Sequence, residues 1–111
     1  MYKSFIEERY GCEFIEFDNV GWLSYTMSSD ICYLQDMYIV PEHRRKGYSQ
    51  EMAAAVENIA RDNRCTKLMT TVNLDYAEKG KGDRANMYAI LKFGFNLIKS
   101  GNNYLVFRKD I

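Results

Sequence analysis

Tyr38-Ile39-Val40-Pro41-Glu42-His43-Arg44-Arg45-Lys46-Gly47-Tyr48-Ser49 couples a strand-like run to a helix-like one through a short basic turn. On its N-terminal side, Ile31 to Val40 is long and mostly apolar, which predicts a strand in a central position of a sheet. On its C-terminal side the period changes. Met52, Ala53, Val56, Ile59 and Ala60 recur at three- and four-residue spacing, with Glu51, Glu57, Arg61 and Asp62 elsewhere on the wheel. That pattern predicts an amphipathic helix of about four turns from Tyr48, ending near Asn63. Pro41 ends the strand because it cannot donate to a ladder.

Arg44, Arg45 and Lys46 stand just ahead of the helix N-terminus, where unpaired N–H groups and the positive end of the helix dipole already attract anions. Gly47 allows a tight turn or a close approach of backbone to ligand, and Ser49 is small enough not to obstruct it. Together they suit a pyrophosphate. The same residues also fit a solvated basic turn that caps a helix, and physics alone leaves both readings open. The spacing is neither Gly-x-x-x-x-Gly-Lys-Ser/Thr nor Gly-x-Gly-x-x-Gly.

Outward from this junction, Glu13 to Phe17 alternates polar and apolar, as a strand with one wet face does. Asp18-Asn19 turns the chain, Val20 to Met27 makes a second strand, and Ser28-Ser29-Asp30 turns it again, so Cys12 to Val40 reads as an antiparallel meander. After the helix, Lys67 to Asn73 is a β-branched strand, and the strand–helix–strand order predicts a parallel crossover. Asp75 to Asp83 is polar, with Gly80 and Gly82, and predicts a loop or lid. Arg84 to Phe93 predicts a second helix stopped by Gly94. Phe95 to Lys99, a turn at Gly101-Asn102-Asn103 and Tyr104 to Arg108 predict a closing hairpin, and the first nine residues a short helix. The fold class is α/β (α+β) around one sheet.

The 111 residues fit one domain, residues 1–111, and 47% hydrophobic content is enough for one core. Fifteen basic residues balance fifteen acidic ones, so no overall field draws the protein to nucleic acid or an anionic membrane. His43-Arg44-Arg45-Lys46 and Lys79-Gly80-Lys81 are the local basic patches, and the neutral balance speaks against direct nucleic-acid binding. No run reaches the roughly 18 apolar residues of a spanning helix. Cys12, Cys32 and Cys65 are odd in number and contain no Cys-x-x-Cys pair, so they read as reduced, buried thiols of a cytoplasmic protein with no metal site.

Arg44-Arg45-Lys46-Gly47-Tyr48-Ser49 resembles the Arg/Gln-x-x-Gly-x-Gly/Ala signature of the GNAT N-acetyltransferase superfamily. Tyr33 to Glu42 is similar to the strand that leads into that signature, and Lys92-Phe93-Gly94-Phe95 to the family's closing of its second helix. The resemblance runs from about Glu13 to the C-terminus; the two N-terminal helices that roof the acceptor site in longer relatives are reduced or absent. It implies a mixed, mostly antiparallel central sheet, splayed to hold acetyl-CoA, with a strand-loop-helix cradle and a C-terminal β-hairpin. It further implies pyrophosphate on the amides from Arg44 or Arg45 through Lys46, Gly47 and Tyr48 to Ser49. The pantetheine arm would lie along Met37, Tyr38 and Ile39, with Asn86 near it from the second helix. Tyr48 can serve by packing alone, and His43 reads as a solvated loop residue.

The implied reaction is transfer of an acetyl group from acetyl-CoA to a primary amine by direct attack, with a backbone N–H near Met37 to Ile39 for the oxyanion and no metal. Direct attack needs no enzyme nucleophile, and the chain offers no Ser/His/Asp or Cys/His set. Where polyamine-acetylating members carry Glu-Asp, this chain has Gln35-Asp36. Gln35 cannot take a proton, and strict strand alternation would turn Asp36 to the opposite face. Asp36 and Asn86 are the candidate catalytic residues. Counting back from Gly94 puts Ile90 where many relatives carry a proton-donating Tyr, and Tyr88, about 200° away on the helix, faces elsewhere. A reduced roof favours a protein lysine or N-terminus over a small amine as acceptor. The alternative is a catalytically weak CoA-binding protein that acts through protein contacts. An exposed aromatic hairpin (Phe95, Tyr104, Phe107) predicts a homodimer.

Overall fold

The computed structural model describes residues 12–74 and 82–111, with the side chains of 82–86 excepted. The elements run β1 (Glu13–Phe17), β2 (Gly21–Ser28), β3 (Ile31–Ile39), a 3-10 turn (Pro41–His43), α1 (Tyr48–Asp62), β4 (Lys67–Asn73), α2 (Gly82–Lys92), β5 (Asn96–Ser100) and β6 (Tyr104–Asp110). They form a six-stranded sheet in the order β1-β2-β3-β4-β6-β5. The β3–β4 pair, joined through α1, is parallel, and the other pairs are antiparallel. This is the mixed, mostly antiparallel sheet anticipated above.

Local chemistry places the turns. Asn19 (φ 63°) and Ser29 (φ 58°) take the left-handed conformation at the two meander turns. α2 ends on Gly94 (φ 102°), whose amide donates to the Leu91 carbonyl at 3.1 Å while the Phe95 amide reaches Ile90 at 3.2 Å. Those two bonds are the paired closure of a glycine-stopped helix, and they swing Phe95 back over the last turn. Two bounds differ from expectation by two residues. α2 begins at Gly82, so the polar segment contributes its first turn, and β6 runs on to Asp110 because Lys67 to Asn73 of β4 pairs along its whole length. The expected N-terminal helix and residues 75–81 of the expected lid lie outside the described residues.

The core lies between α1 and one face of the sheet. Met52, Val56 and Ala60 of α1 pack on Leu23, Tyr25, Cys32 and Leu68, and Phe95 and Phe107 complete the cluster. This corrects the expected exposed aromatic hairpin. Phe95 and Phe107 are each 3% exposed, because Phe107 pairs with Thr70 on the α1 side of the sheet and Phe95 is folded inward by the glycine stop. Leu97 and Ile98 on the edge strand β5 are the hairpin's large exposed apolar residues. Behind the core, Lys109 Nζ donates to Glu57 Oε1 at 2.7 Å and stands 4.0 Å above the Phe93 ring, tying β6, α1 and the end of α2 together. Among the described residues no helix is long and apolar enough to cross a membrane.

All three cysteines are buried and free, as their spacing predicted. Burial pushes the Cys32 thiol up from its ordinary 9.0 to about 12, with Cys65 and Glu13 adding to it, and burial also raises Cys65. A thiol that keeps its proton is a poor nucleophile. At pH 8 a maleimide is expected to leave the native thiols unmodified over minutes and to label three once the chain is unfolded. The linkage has a sign. The raised folded pKa favours the native state below the unfolded value of 9.0, and that contribution is lost as pH climbs from there towards about 12. Rapid native labelling of Cys32 would contradict this.

Candidate functional site

β3 and β4 pair for only part of their length. The parallel register joins Ile31–Lys67, Cys32–Leu68, Tyr33–Met69 and Leu34–Thr70, and then stops. The Thr70 hydroxyl donates to the Leu34 carbonyl at 3.2 Å, closing the last rung. Beyond it β3 continues to Ile39 against β2, and β4 to Asn73 against β6, so two strand edges without a strand partner among the described residues face each other. This opening explains why β3, central and apolar as expected, is not buried throughout: Met37 and Tyr38 lie along it, 38% and 41% exposed.

A cavity of about 280 Å³ occupies the opening. Gln35, Asp36 and Met37 of β3 line one wall and Thr70 to Asn73 of β4 the other; Ser49, Gln50 and Ala53 of α1, Ala89 and Ile90 of α2 and Phe93 just beyond it form the back. Gln50 Nε2 donates to the Ala89 carbonyl at 3.2 Å, which holds the two helices together there.

At one end of the cavity stands the start of α1. The turn before it carries two left-handed residues, Arg45 (φ 62°) and Gly47 (φ 86°). Gly47 is the N-cap and no side chain caps the helix. The first bond of the helix runs from the Glu51 amide to the Gly47 carbonyl, at 3.2 Å. Among the described residues the amides from Arg45 to Gln50 therefore have no backbone acceptor. A Cβ built on Gly47 would meet nothing within 4 Å among the described residues, so the space beside this turn is open. A row of unpartnered N–H groups at the positive end of a helix dipole is an anion site.

The three basic side chains do not act alike. Arg44 turns back, its Nε donating to the Ile39 carbonyl at 2.8 Å with the guanidinium 5.8 Å from the Tyr38 ring centre, and so braces the end of β3. Arg45 and Lys46 are exposed. His43 departs from expectation. It is half-buried, its ring edge-on to Tyr48 at 5.7 Å, and its Nδ1 is buried without a partner among the described residues. The Tyr48 ring packs against that of His43.

The model of the Acetyltransferase (GNAT) family matches residues 2–82. The chain belongs to that family. None of the curated proteins matches this GNAT sequence significantly. Among solved structures it is similar to the PaiA N-acetyltransferase of Thermoplasma acidophilum, which is in complex with coenzyme A. The TM-score is 0.78 at 13% identity, over 96% of this chain and 66% of that one, so the chain spans just under two thirds of that relative. A Bacillus subtilis acetyltransferase in complex with CoA gives 0.70 at 10% identity, over 98% of this chain and 84% of that one. Nourseothricin acetyltransferase gives 0.67 at 17%, over 82% and 57%. At these identities the likeness is one of fold.

In this GNAT domain the opening and the α1 amides adjoin Met37, Asp36 and Ser49. The Asn86 side chain lies outside the described residues, though α2 carries Asn86 one turn before Ile90 of the cavity wall. Sequence reasoning missed two features. One is the contribution of Gln50, Thr70, Ala89 and Phe93 to the walls, which nothing in their local pattern signals. The other is a bulge in β3. Leu23 and Tyr25, two apart on β2, oppose Met37 and Leu34, three apart on β3. Leu34 and Met37 thus share a face, and Gln35 and Asp36 together make the bulge. Strict alternation, which would turn Asp36 to the face opposite Gln35, therefore fails at this point.

Proposed function

We propose that this protein is an N-acetyltransferase that passes an acetyl group from acetyl-CoA to a primary amine. The observation that carries the reading is the parting of β3 from β4 beside the unpartnered amides of Arg45 to Gln50. The two features match the two halves of the co-substrate. A pyrophosphate needs several N–H donors at close range, and Lys46, Gly47, Tyr48 and Ser49 supply them. An amide-bearing pantetheine arm needs an unpaired strand edge, and Met37 to Ile39 supply one, with Asn86 opposite on α2.

The amine attacks the thioester carbonyl as its free base; the C–N bond forms, the C–S bond breaks, and the sulfur leaves as thiolate. A backbone amide of β3 steadies the oxyanion. Asp36, exposed at the cavity wall and freed by the bulge, is the carboxylate that receives the ammonium proton directly or through water. An alkyl thiol has a pKa of about 8.5 by analogy with cysteine, so it leaves without a strong acid. Tyr88 is 68% exposed and absent from the cavity wall where Ala89 and Ile90 stand. Tyr88→Phe is accordingly expected to keep most of its turnover, and a hundredfold fall in kcat at unchanged affinity would make Tyr88 the acid.

Tyr33 and Tyr38 are each more than a third exposed on one face of β3, and they offer a flat apolar contact that suits a lysine side chain or N-terminus on a protein. The test is thiol release from acetyl-CoA with a panel of peptides, protein extracts and small amines, matched to acetylated product by mass. Equal amounts of thiol and acetylated amine support the proposal. Binding without release for every amine supports the CoA-binding alternative in its place.

A further inference from the structure

Ser24 is the buried polar residue of the described core, 4% exposed in the middle of β2. Its neighbours Leu23 and Tyr25 are the residues that oppose the two ends of the β3 bulge, so Ser24 faces the bulge itself. The Asp36 amide donates to Ser24 Oγ at 3.0 Å, and the Ser24 hydroxyl donates to the Asp36 carbonyl at 3.3 Å. One side chain thus takes both polar backbone groups of a bulge residue that the ladder leaves unpaired.

The bulge reverses which peptide groups point into the opening. Successive residues of a strand turn their N–H and C=O groups to opposite edges. Before the bulge, the Leu34 carbonyl faces β4, where it accepts from Thr70 at 3.2 Å. After it, Asp36 faces β2 through Ser24, and the Val40 amide faces the same way, donating to the Val20 carbonyl at 2.8 Å. Residues 37 and 39 then face the other edge, and the Ile39 carbonyl does so, accepting from Arg44 Nε at 2.8 Å. A β3 without the bulge would turn the Met37 amide into the β2 ladder. With it, that amide faces the cavity that Met37 lines.

We infer that Ser24 is a positioning residue for acyl transfer, locking the β3 bulge so that the Met37 N–H is aimed at the thioester carbonyl; this rests on the acetyltransferase reading. Removing the hydroxyl takes away the side-chain partner that the Asp36 amide and carbonyl share and frees the bulge to relax. Ser24→Ala is expected to lower kcat about tenfold to a hundredfold while the acetyl-CoA Kd stays within about twofold, because an oxyanion donor acts in the transition state. Ser24→Thr, which keeps the hydroxyl on a strand-compatible side chain, is expected to restore most of the loss.

A purely structural role would lower affinity and kcat together, and that result, or a Ser24→Ala enzyme with native kcat, overturns the inference. A measurement on the native protein stands beside the variants. The backbone amide resonance of Met37 is expected to move downfield with acetyl-CoA relative to CoA, since only the former carries the carbonyl. Equal shifts with the two ligands overturn the inference while leaving the acetyltransferase reading intact. A native protein that binds neither ligand overturns both.

Discussion

Gly47→Val is expected to bind acetyl-CoA more than about tenfold more weakly than the native protein, with α1 and the core retained. Two causes act in the same direction. Gly47 sits at φ 86°, where a β-branched residue is strained by about 1–3 kcal/mol. Its side chain would also enter the open space beside the turn, where an added Cβ meets no described atom within 4 Å. Gly47→Asn separates the causes. Asparagine tolerates the left-handed conformation, so its melting temperature stays near native while its side chain still enters that space. Calorimetry on the three proteins decides the matter. Equal affinities throughout would remove the phosphate assignment, and a loss confined to Val would reassign it to strain.

Gly21→Ala is expected to be the more damaging change to the fold. Gly21 pairs with Ile39 across β2 and β3. A Cβ there would land on the Tyr38 carbonyl oxygen and stand 2.9 Å from the Ile39 Cα. These are backbone atoms, which cannot rotate away as a flexible side chain can. The end of β3 must move off β2, and with it Arg44, which holds the Ile39 carbonyl. Overpacking of this kind costs about 3 kcal/mol, equivalent to a fall of at least about 10 °C in Tm for a domain of this size. Acetyl-CoA affinity is expected to fall as well, since Met37 to Ile39 border the opening. A variant melting within about 2 °C of native would show that the strands separate there at little cost.

The fold and the candidate site were not equally legible in the sequence. Elements with a clean period were found near their observed ends, because alternation at Glu13 to Phe17 and the Met52–Val56–Ala60 stripe report burial directly. The turn from β3 into α1 was legible because Pro41, the basic run and Gly47 each act locally. The bulge was not. Gln35-Asp36 carries no glycine or other local signal, and the extra residue appears only when β2 and β3 are set in register, a long-range fact. Ser24 was hidden for the same reason. A serine between Leu23 and Tyr25 reads as the wet side of an alternating strand, yet it is buried against the bulge it holds. The hairpin aromatics failed differently: which face Phe95 and Phe107 take depends on the glycine stop and the β4 register, neither visible in their own neighbourhood.

A crystal structure of the protein with acetyl-CoA tests the central claim most directly. The account predicts diphosphate oxygens within about 3 Å of the amides between Arg45 and Gln50. It also predicts the pantetheine arm between β3 and β4 and the thioester carbonyl facing the Met37 N–H. A nucleotide bound elsewhere on the surface, with the opening between the strands empty, would contradict it.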